Sequence, residues 1–263
     1  MPEGDTIHRT AQRLAPVLVG EVVRRFEAPQ MLGTSPRAGE RIDSVEAVGK
    51  HLLVRFSGGL TLETHMRMTG SWHLYRRGER WRKGPHLRRC VIETDEWVAV
   101  CFSAPVVRTF PTAAEGTGTD PLGHLGPDLC DATSDDPSVV ERCVERMGSL
   151  ADASVEVGEA LLDQRIANGV GNVFRSEVCW SCAVDPRRPV GSVDVETRRR
   201  LIETAGRQLR ANLDGPSRST VPGGGLAVYG RRGQPCRRCG TRITSTRSGD
   251  QARVVYWCPT CQR

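Results

Sequence analysis

The spacing Cys236-x2-Cys239-x18-Cys258-x2-Cys261 constrains this chain more than any other feature. Two Cys-x-x-Cys knuckles set that far apart predict a β-hairpin that brings four thiolates to one tetrahedral ion, and zinc is the ion such a set selects. A unit shorter than about 40 residues buries too little apolar surface to fold alone, so the metal supplies its stability. Four cysteines leave no open coordination position, which predicts one structural Zn2+. The intervening T-R-I-T-S-T-R-S-G-D-Q-A-R carries Arg242, Arg247 and Arg253, with Arg238 nearby. A basic β-ribbon of this kind enters a nucleic-acid groove or is an ordinary solvated surface, and the residues alone leave both open.

The other six of the ten cysteines, Cys90, Cys101, Cys130, Cys143, Cys179 and Cys182, read as small buried hydrophobes. Cys179-Trp-Ser-Cys182 is formally a Cys-x-x-Cys, but it lies in a helical pattern with no second pair nearby. No apolar run approaches the roughly 20 residues of a membrane span, and the start lacks a signal-peptide layout, so a cytoplasmic protein with no membrane association is expected. The 37 basic against 31 acidic residues give a formal charge of +6, and most of the basic ones are arginine. Arginine is the better bidentate partner for phosphate, so the balance favours a polyanionic partner.

Along the chain, Ile7, Ala11, Leu14 and Leu18 fall on one helix face, with Asp5 or Thr6 available as N-cap, so a helix starts within a few residues of Pro2. From about residue 20 to 110, short period-two runs such as H-L-L-V-R-F-S-G-G-L-T-L-E-T-H (51–65) and C-V-I-E-T-D-E-W-V-A-V (90–100) predict a β-sandwich built on hairpins. The Gly, Pro, Thr and Asp-rich stretch 111–128 reads as a domain boundary. Beyond it, Asp136 caps a helix whose first residue is Pro137 and which Gly148 ends. Further helices are predicted over 156–167, 172–182 and 195–213, and the glycine-rich 221–226 is predicted to be a mobile loop before the cysteine-rich tail. The fold class is therefore α+β, with an N-terminal helix and β-sandwich domain (1–118), a linker (119–134), a helical module (135–226) and a zinc-finger hairpin (227–263). Within the helical module, Gly169-Val-Gly171 joins two helices and Asn172 opens the second. That turn either cradles a phosphate on free N–H groups or is a plain connection.

With M-P-E-G at the start, V-G-K-H-L-L at 48–53, L-L-D-Q and G-V-G-N within 161–172, and W-C-P-T-C-Q at 257–262, the chain resembles the Fpg/Nei family of DNA glycosylases over its whole length. The resemblance implies a β-sandwich, a helix-two-turn-helix module and a zinc finger enclosing a DNA-binding cleft. It implies that Pro2, exposed by removal of Met1, is the nucleophile. Its secondary amine attacks the deoxyribose C1′ as the damaged base leaves, and the iminium formed has no N–H to lose, so it stays a cationic electron sink. Glu3 matches the family's proton-shuttling glutamate, Lys50 the lysine of β-elimination, and Arg253 the arginine that clamps the lesion's phosphate and assists δ-elimination. Asn172 matches the asparagine that binds the same backbone.

In H-M-R-M-T-G (65–70), Arg67 or Met68 corresponds to the wedge that fills the gap left by a flipped nucleotide, with Met68 as an ordinary core residue the alternative. Where the family's 8-oxoguanine branch carries Asp-Pro-Arg-Arg-Phe, this chain has F-S-A-P-V-V-R (102–108), and it begins P-E-G rather than P-E-L. Both departures point to the endonuclease VIII branch and oxidised pyrimidines. That branch commonly continues P-E-G-P-E, but Asp5-Thr6 stand here, so the second carboxylate is missing or shifted by one position. His124 falls where a DNA-contacting arginine is expected. His8, His51, His73 and His86 receive no role. The expected protein is a monomeric bifunctional glycosylase and AP lyase acting on damaged DNA, nucleoid-associated through that DNA, with no small-molecule cofactor. The alternatives are an 8-oxoguanine or formamidopyrimidine glycosylase of the same family and a catalytically silent zinc-dependent DNA-binding protein. The presence of Pro2, Glu3, Lys50 and Arg253 together speaks against the last.

Overall fold

The computed structural model describes residues 2–150, 154–215, 217–249 and 251–263. Met1, whose removal is expected to expose Pro2, lies outside the described residues. The chain forms two compact units, the first ending at His124 and the second beginning at Leu125.

In the first unit, helix α1 (Gly4–Leu18) buries Ile7, Ala11, Leu14 and Leu18, the predicted face. Its N-cap is Glu3, not Asp5 or Thr6: Glu3 is extended, and its carbonyl accepts from the N–H of Thr6 at 2.9 Å and of Ile7 at 3.1 Å. Asp5 is already helical and fully buried, its carboxylate turned to Arg9 at 3.5 Å and to the Thr6 hydroxyl at 3.2 Å. An acidic group in the first turn is also favoured by the helix dipole.

Eight strands follow: β1 (Arg25–Glu27), β2 (Ile42–Val48), β3 (His51–Phe56), β4 (Leu60–His65), β5 (Ser71–Arg76), β6 (Arg88–Glu93), β7 (Trp97–Phe102) and β8 (Val106–Pro111). They pair antiparallel into two four-stranded sheets, β1-β6-β7-β5 and β2-β3-β4-β8. One core holds Leu52, Val54, Phe56 and Leu62 from one sheet, Cys90, Ile92 and Cys101 from the other, and the α1 face, which makes the unit a sandwich. Strand β7 is apolar on both sides, because Val98, Val100 and Phe102 pack with Tyr75, Val91 and the loop residue Trp81 in a second cluster.

In the second unit, α2 (Pro137–Gly148) is capped as the sequence predicts, the Asp136 carboxylate accepting from Ser138 N–H at 2.8 Å. The helix expected over 156–167 shrinks to one turn, α3 (Val157–Ala160). Side chains take the backbone's partners beyond it: Asp163 accepts from Arg165 N–H at 3.0 Å, and Gln164 donates to the carbonyls of Leu162 at 2.7 Å and Val170 at 3.1 Å. Such local bonds compete with a helix ladder. Helix α4 (Asn172–Ser181) opens after Gly171, and α5 (Val195–Arg210), expected to reach 213, stops where Asn212 turns its amide back to the Gln208 carbonyl at 2.7 Å.

The stretch 221–226 is closed by Thr220 N–H donating to the Gly225 carbonyl at 3.0 Å, with Gly223, Gly224 and Gly225 all at positive φ. The fully buried Glu177 of α4 holds what flanks it. Its carboxylate accepts from the Thr220 hydroxyl and from the N–H groups of Ala227 at 2.7 Å, Val228 at 2.9 Å and Tyr229 at 2.8 Å. Replacing Glu177 with alanine orphans three N–H groups and is expected to destabilise the second unit by roughly 3 kcal/mol, as measured by thermal or urea unfolding. The unit ends in the antiparallel hairpin of β9 (Thr244–Ser248) and β10 (Arg253–Trp257). The six cysteines outside the hairpin are free thiols, five of them buried, including Cys90 and Cys101 in the sandwich and Cys143 and Cys179 among the helices.

Candidate active site and nucleic-acid interface

Pro2 lines a cavity of about 320 Å³ together with Thr6, Met66, Ser71, His73 and Arg82. Glu3 beside it is 1% exposed, the desolvated setting a proton-carrying carboxyl needs. Thr6 lines this cavity, and neither Glu3 nor Asp5 is among its walls. Ser71 and His73 of β5 supply a polar part of the wall, beside Trp72 and Leu74. His73 Nε2 bonds the Ser71 hydroxyl at 3.1 Å, its Nδ1 bonds the Tyr75 hydroxyl at 2.9 Å, and Lys83 donates to the Ser71 hydroxyl at 2.9 Å. Burial, then the charges of Lys83, Arg82 and Arg13, lower the His73 pKa. The i, i+2 spacing of Ser71 and His73 on one strand is the signal that could have found this wall.

Lys50 sits in the two-residue turn between β2 and β3, where Gly49 takes φ 55° so that Val48 and His51 pair directly. Lys50 and Lys83 are the only lysines in the chain. Next to the turn, His51 pairs in register with His65, their rings meeting edge to face at 4.7 Å. Between the strands, the Glu63 carboxylate, 1% exposed, is held by His51 Nδ1 at 2.8 Å and by Arg108. Burial alone raises this carboxyl's pKa, but the hydrogen bonds of His51 and Arg108 outweigh it and hold the pKa below its ordinary value.

The turn from β4 to β5 is anchored by Met66, buried, and by Gly70, where a Cβ would lie 2.7 Å from the Met66 Cα. Met68 is 73% exposed, so the core methionine of H-M-R-M-T-G is Met66 and Met68 is presented to solvent. Arg67 has φ 43°, and its N–H donates to His65 Nδ1 at 3.1 Å. Burial, followed by the charges of His51, Lys50 and Arg67, pushes the His65 pKa down to about 4, with Glu63 opposing.

A histidine that is neutral when folded but titrates near 6.5 when unfolded leaves the unfolded state with more bound protons between those values. Stability is then complete above about pH 6.5 and falls as pH drops toward about 4. Thermal unfolding of the wild type and His65→Gln between pH 7 and 4.5 is expected to show a flatter profile for the variant.

His124 is exposed in a turn at the end of the first unit and makes no hydrogen bond or ion pair among the described residues. In the second unit, Asn172 Nδ2 donates to the Val254 carbonyl at 2.9 Å, bringing the glycine turn against β10 and next to Arg253. Arg238, Arg242 and Arg247 bond the carbonyls of Trp180, Gly233 and Ala252, and Arg253 bonds the Gln251 side chain. None of the four is in an ion pair among the described residues.

The four Sγ atoms of Cys236, Cys239, Cys258 and Cys261 all lie within 4.8 Å of one another, with Cys236 to Cys261 at 4.0 Å and Cys239 to Cys258 at 3.5 Å. Zn–S bonds of about 2.3 Å in a tetrahedron require sulfur separations of about 3.8 Å, so the set fits zinc. Trp180 Nε1 and the Arg238 N–H both donate to the Cys236 sulfur at 3.4 Å, orienting that ligand from outside.

Three family models match: the formamidopyrimidine-DNA glycosylase N-terminal domain over residues 1–110, the H2TH domain of the same glycosylases over 127–221, and a zinc finger found in FPG and IleRS over 233–263. The chain is 42% identical to "Probable endonuclease 8 2" of Streptomyces coelicolor, covering all of this chain and 94% of that one. It is 34% identical to "DNA-(apurinic or apyrimidinic site) lyase Nei2" of Mycolicibacterium smegmatis, covering 100% and 99%. A solved structure of Lactococcus lactis formamidopyrimidine DNA glycosylase bound to AP-site DNA superposes with a TM-score of 0.83 at 21% identity, over the full length of both chains.

Proposed function

The chain belongs to the Fpg/Nei family of DNA glycosylases with AP lyase activity, and on that premise we propose that it excises oxidised pyrimidines from damaged DNA and cuts the strand at the resulting site. The observation that carries the proposal is Pro2 at the wall of a cavity with the buried Glu3 beside it. Helix α1 begins two residues after Pro2, and the positive end of its dipole opposes protonation of the Pro2 amine. The free amine attacks C1′, the C1′–base bond breaks, and Glu3 moves protons at the sugar oxygen and the departing base. Lys50, at the tip of its turn, serves β-elimination. Arg253 and Asn172 take backbone phosphates, with Arg253 also assisting δ-elimination. Arg67 and the exposed Met68 fill the space of the flipped nucleotide, and His124 adds a backbone contact. Zinc held by the four cysteines supplies the folding of the hairpin that carries Arg253.

Relatives named endonuclease 8 and the absence of Asp-Pro-Arg-Arg-Phe in 102–108 support the pyrimidine preference. A second reading, 8-oxoguanine or formamidopyrimidine excision, is favoured by full-length relatives of that name at 31–32% identity. Comparing cleavage of duplexes carrying thymine glycol, 5-hydroxyuracil or 8-oxoguanine separates the two, the first pair being cut faster if the proposal holds. No described helix is long and apolar enough to cross a membrane. The working form we propose is a cytoplasmic monomer on nucleoid DNA.

A further inference from the structure

Arg175 stands in the middle of α4, one turn on from Asn172, and its side chain is completely buried. Burial of a guanidinium is costly, and Arg175 Nε is buried with no hydrogen-bond partner among the described residues, so the contacts of the two Nη atoms must offset that cost. Nη1 donates to the Glu159 carboxylate of α3, and Nη2 donates to the main-chain carbonyl of Arg253 at 3.1 Å. On the far strand of the hairpin the Ser248 hydroxyl donates to the Glu156 carboxylate, and the Glu159 carboxylate lies 3.4 Å from the same hydroxyl. Glu159 packs so closely on the hairpin that a Cβ on Gly249 would lie 2.2 Å from its Oε2. Ser248 and Arg253 are partners in the strand register. The ring therefore closes: Glu159 to Arg175, Arg175 to the Arg253 carbonyl, across the register to Ser248, and back to Glu159.

An apolar residue would fill the same volume, so the need met by arginine is directional. Its planar fork fixes one donor on a carboxylate and aims the other at a single carbonyl. We propose that Arg175 is a positioning residue for Arg253, setting through the main chain where the Arg253 guanidinium meets a DNA phosphate. The inference rests on the reading of Arg253 as the phosphate clamp.

The test measures binding of the zinc-loaded full-length protein to a duplex with one tetrahydrofuran abasic analogue, over a range of salt. The proteins are the wild type, Arg253→Ala, Arg175→Met, the double variant of these, and Arg175→Met with Glu159→Met. Arg253→Ala and Arg175→Met are each expected to weaken binding roughly tenfold to a hundredfold and to lower the salt slope by about one. The double variant binds no more weakly than the poorer single. Removing the buried Arg175 charge together with its partly exposed partner in Arg175→Met/Glu159→Met returns thermal stability and zinc content toward the wild type while binding stays weak, because the bond to the Arg253 carbonyl is still missing. If Arg175→Met does not fold, that charge-free pair carries the same comparison with Arg253→Ala. Wild-type binding by the Arg175 variants, a penalty that adds in full to that of Arg253→Ala, or recovery of binding in step with stability overturns the positioning role and leaves the clamp intact. Wild-type binding by Arg253→Ala instead removes the clamp, and the role of Arg175 with it.

Discussion

A protein with any residue acylated onto the Pro2 nitrogen, a retained Met1 included, is expected to lose base excision and borohydride trapping altogether. Acylation turns a basic secondary amine into an amide, whose lone pair is delocalised and cannot attack C1′. The loss in excision rate is at least roughly a thousandfold, the scale on which removing a covalent nucleophile acts. Binding of an abasic-analogue duplex changes far less, since the proposed phosphate contacts at Lys50, Asn172 and Arg253 are untouched. Intact-mass measurement identifies the N-terminus of each preparation, and borohydride with lesion DNA reads the covalent complex. A preparation with a blocked Pro2 that still traps would place the nucleophile elsewhere.

Stripping zinc, or replacing Cys258 with serine, is expected to unfold the hairpin and weaken lesion-duplex binding by roughly a hundredfold or more. The apolar cluster that the hairpin joins is small, built on Ala227, Val228 and Ile243 with the cysteines themselves, so little else holds it. Structural zinc contributes on the order of 10 kcal/mol to such units. Losing it frees the backbone of Arg253 and Val254, and with it the contacts to Arg175 and Asn172. The sandwich unfolds at its usual temperature, because its core contains no residue of the hairpin. Intrinsic tryptophan fluorescence follows the change, since Trp180 Nε1 donates to the Cys236 sulfur and Trp257 adjoins Cys258. Re-added zinc restores both signal and binding; an unchanged affinity after complete removal would deny the hairpin a part in DNA recognition.

Features governed by neighbours in sequence were legible in advance. The α1 stripe, the Asp136-Pro137 helix start and the cysteine spacing depend on periodicity, local capping and ligand geometry, and the structure has each of them. Features that depend on distant partners were not. Glu63 and Arg108 are far apart along the chain and meet only because β4 and β8 pair in that register. Arg175 reads as one more charge in a helix until the backbone of β10 is laid against it. Met66 and Met68 are equivalent in pattern, and the close approach of Gly70 to Met66 decides which is buried. The helix expected over 156–167 fails for a local reason, the competition of Asp163 and Gln164 for backbone groups, which apolar spacing does not register.

An enzyme proposed to repair DNA damaged by oxidants must work among those oxidants, and its sulfur chemistry is divided accordingly. Peroxide reacts with the thiolate rather than the thiol, so a cysteine that resists ionisation also resists conversion to sulfenic acid. Burial pushes the thiols of Cys90, Cys101 and Cys179 up, and that of Cys143 up to about 11, which leaves almost none ionised near neutral pH. These four core cysteines are thus protected by the packing that makes them useful as small apolar residues. Oxidative vulnerability concentrates at the zinc hairpin, where Cys239 is exposed and the ligands must be thiolates. Under oxidative stress this protein is expected to lose its grip on DNA before it loses its fold.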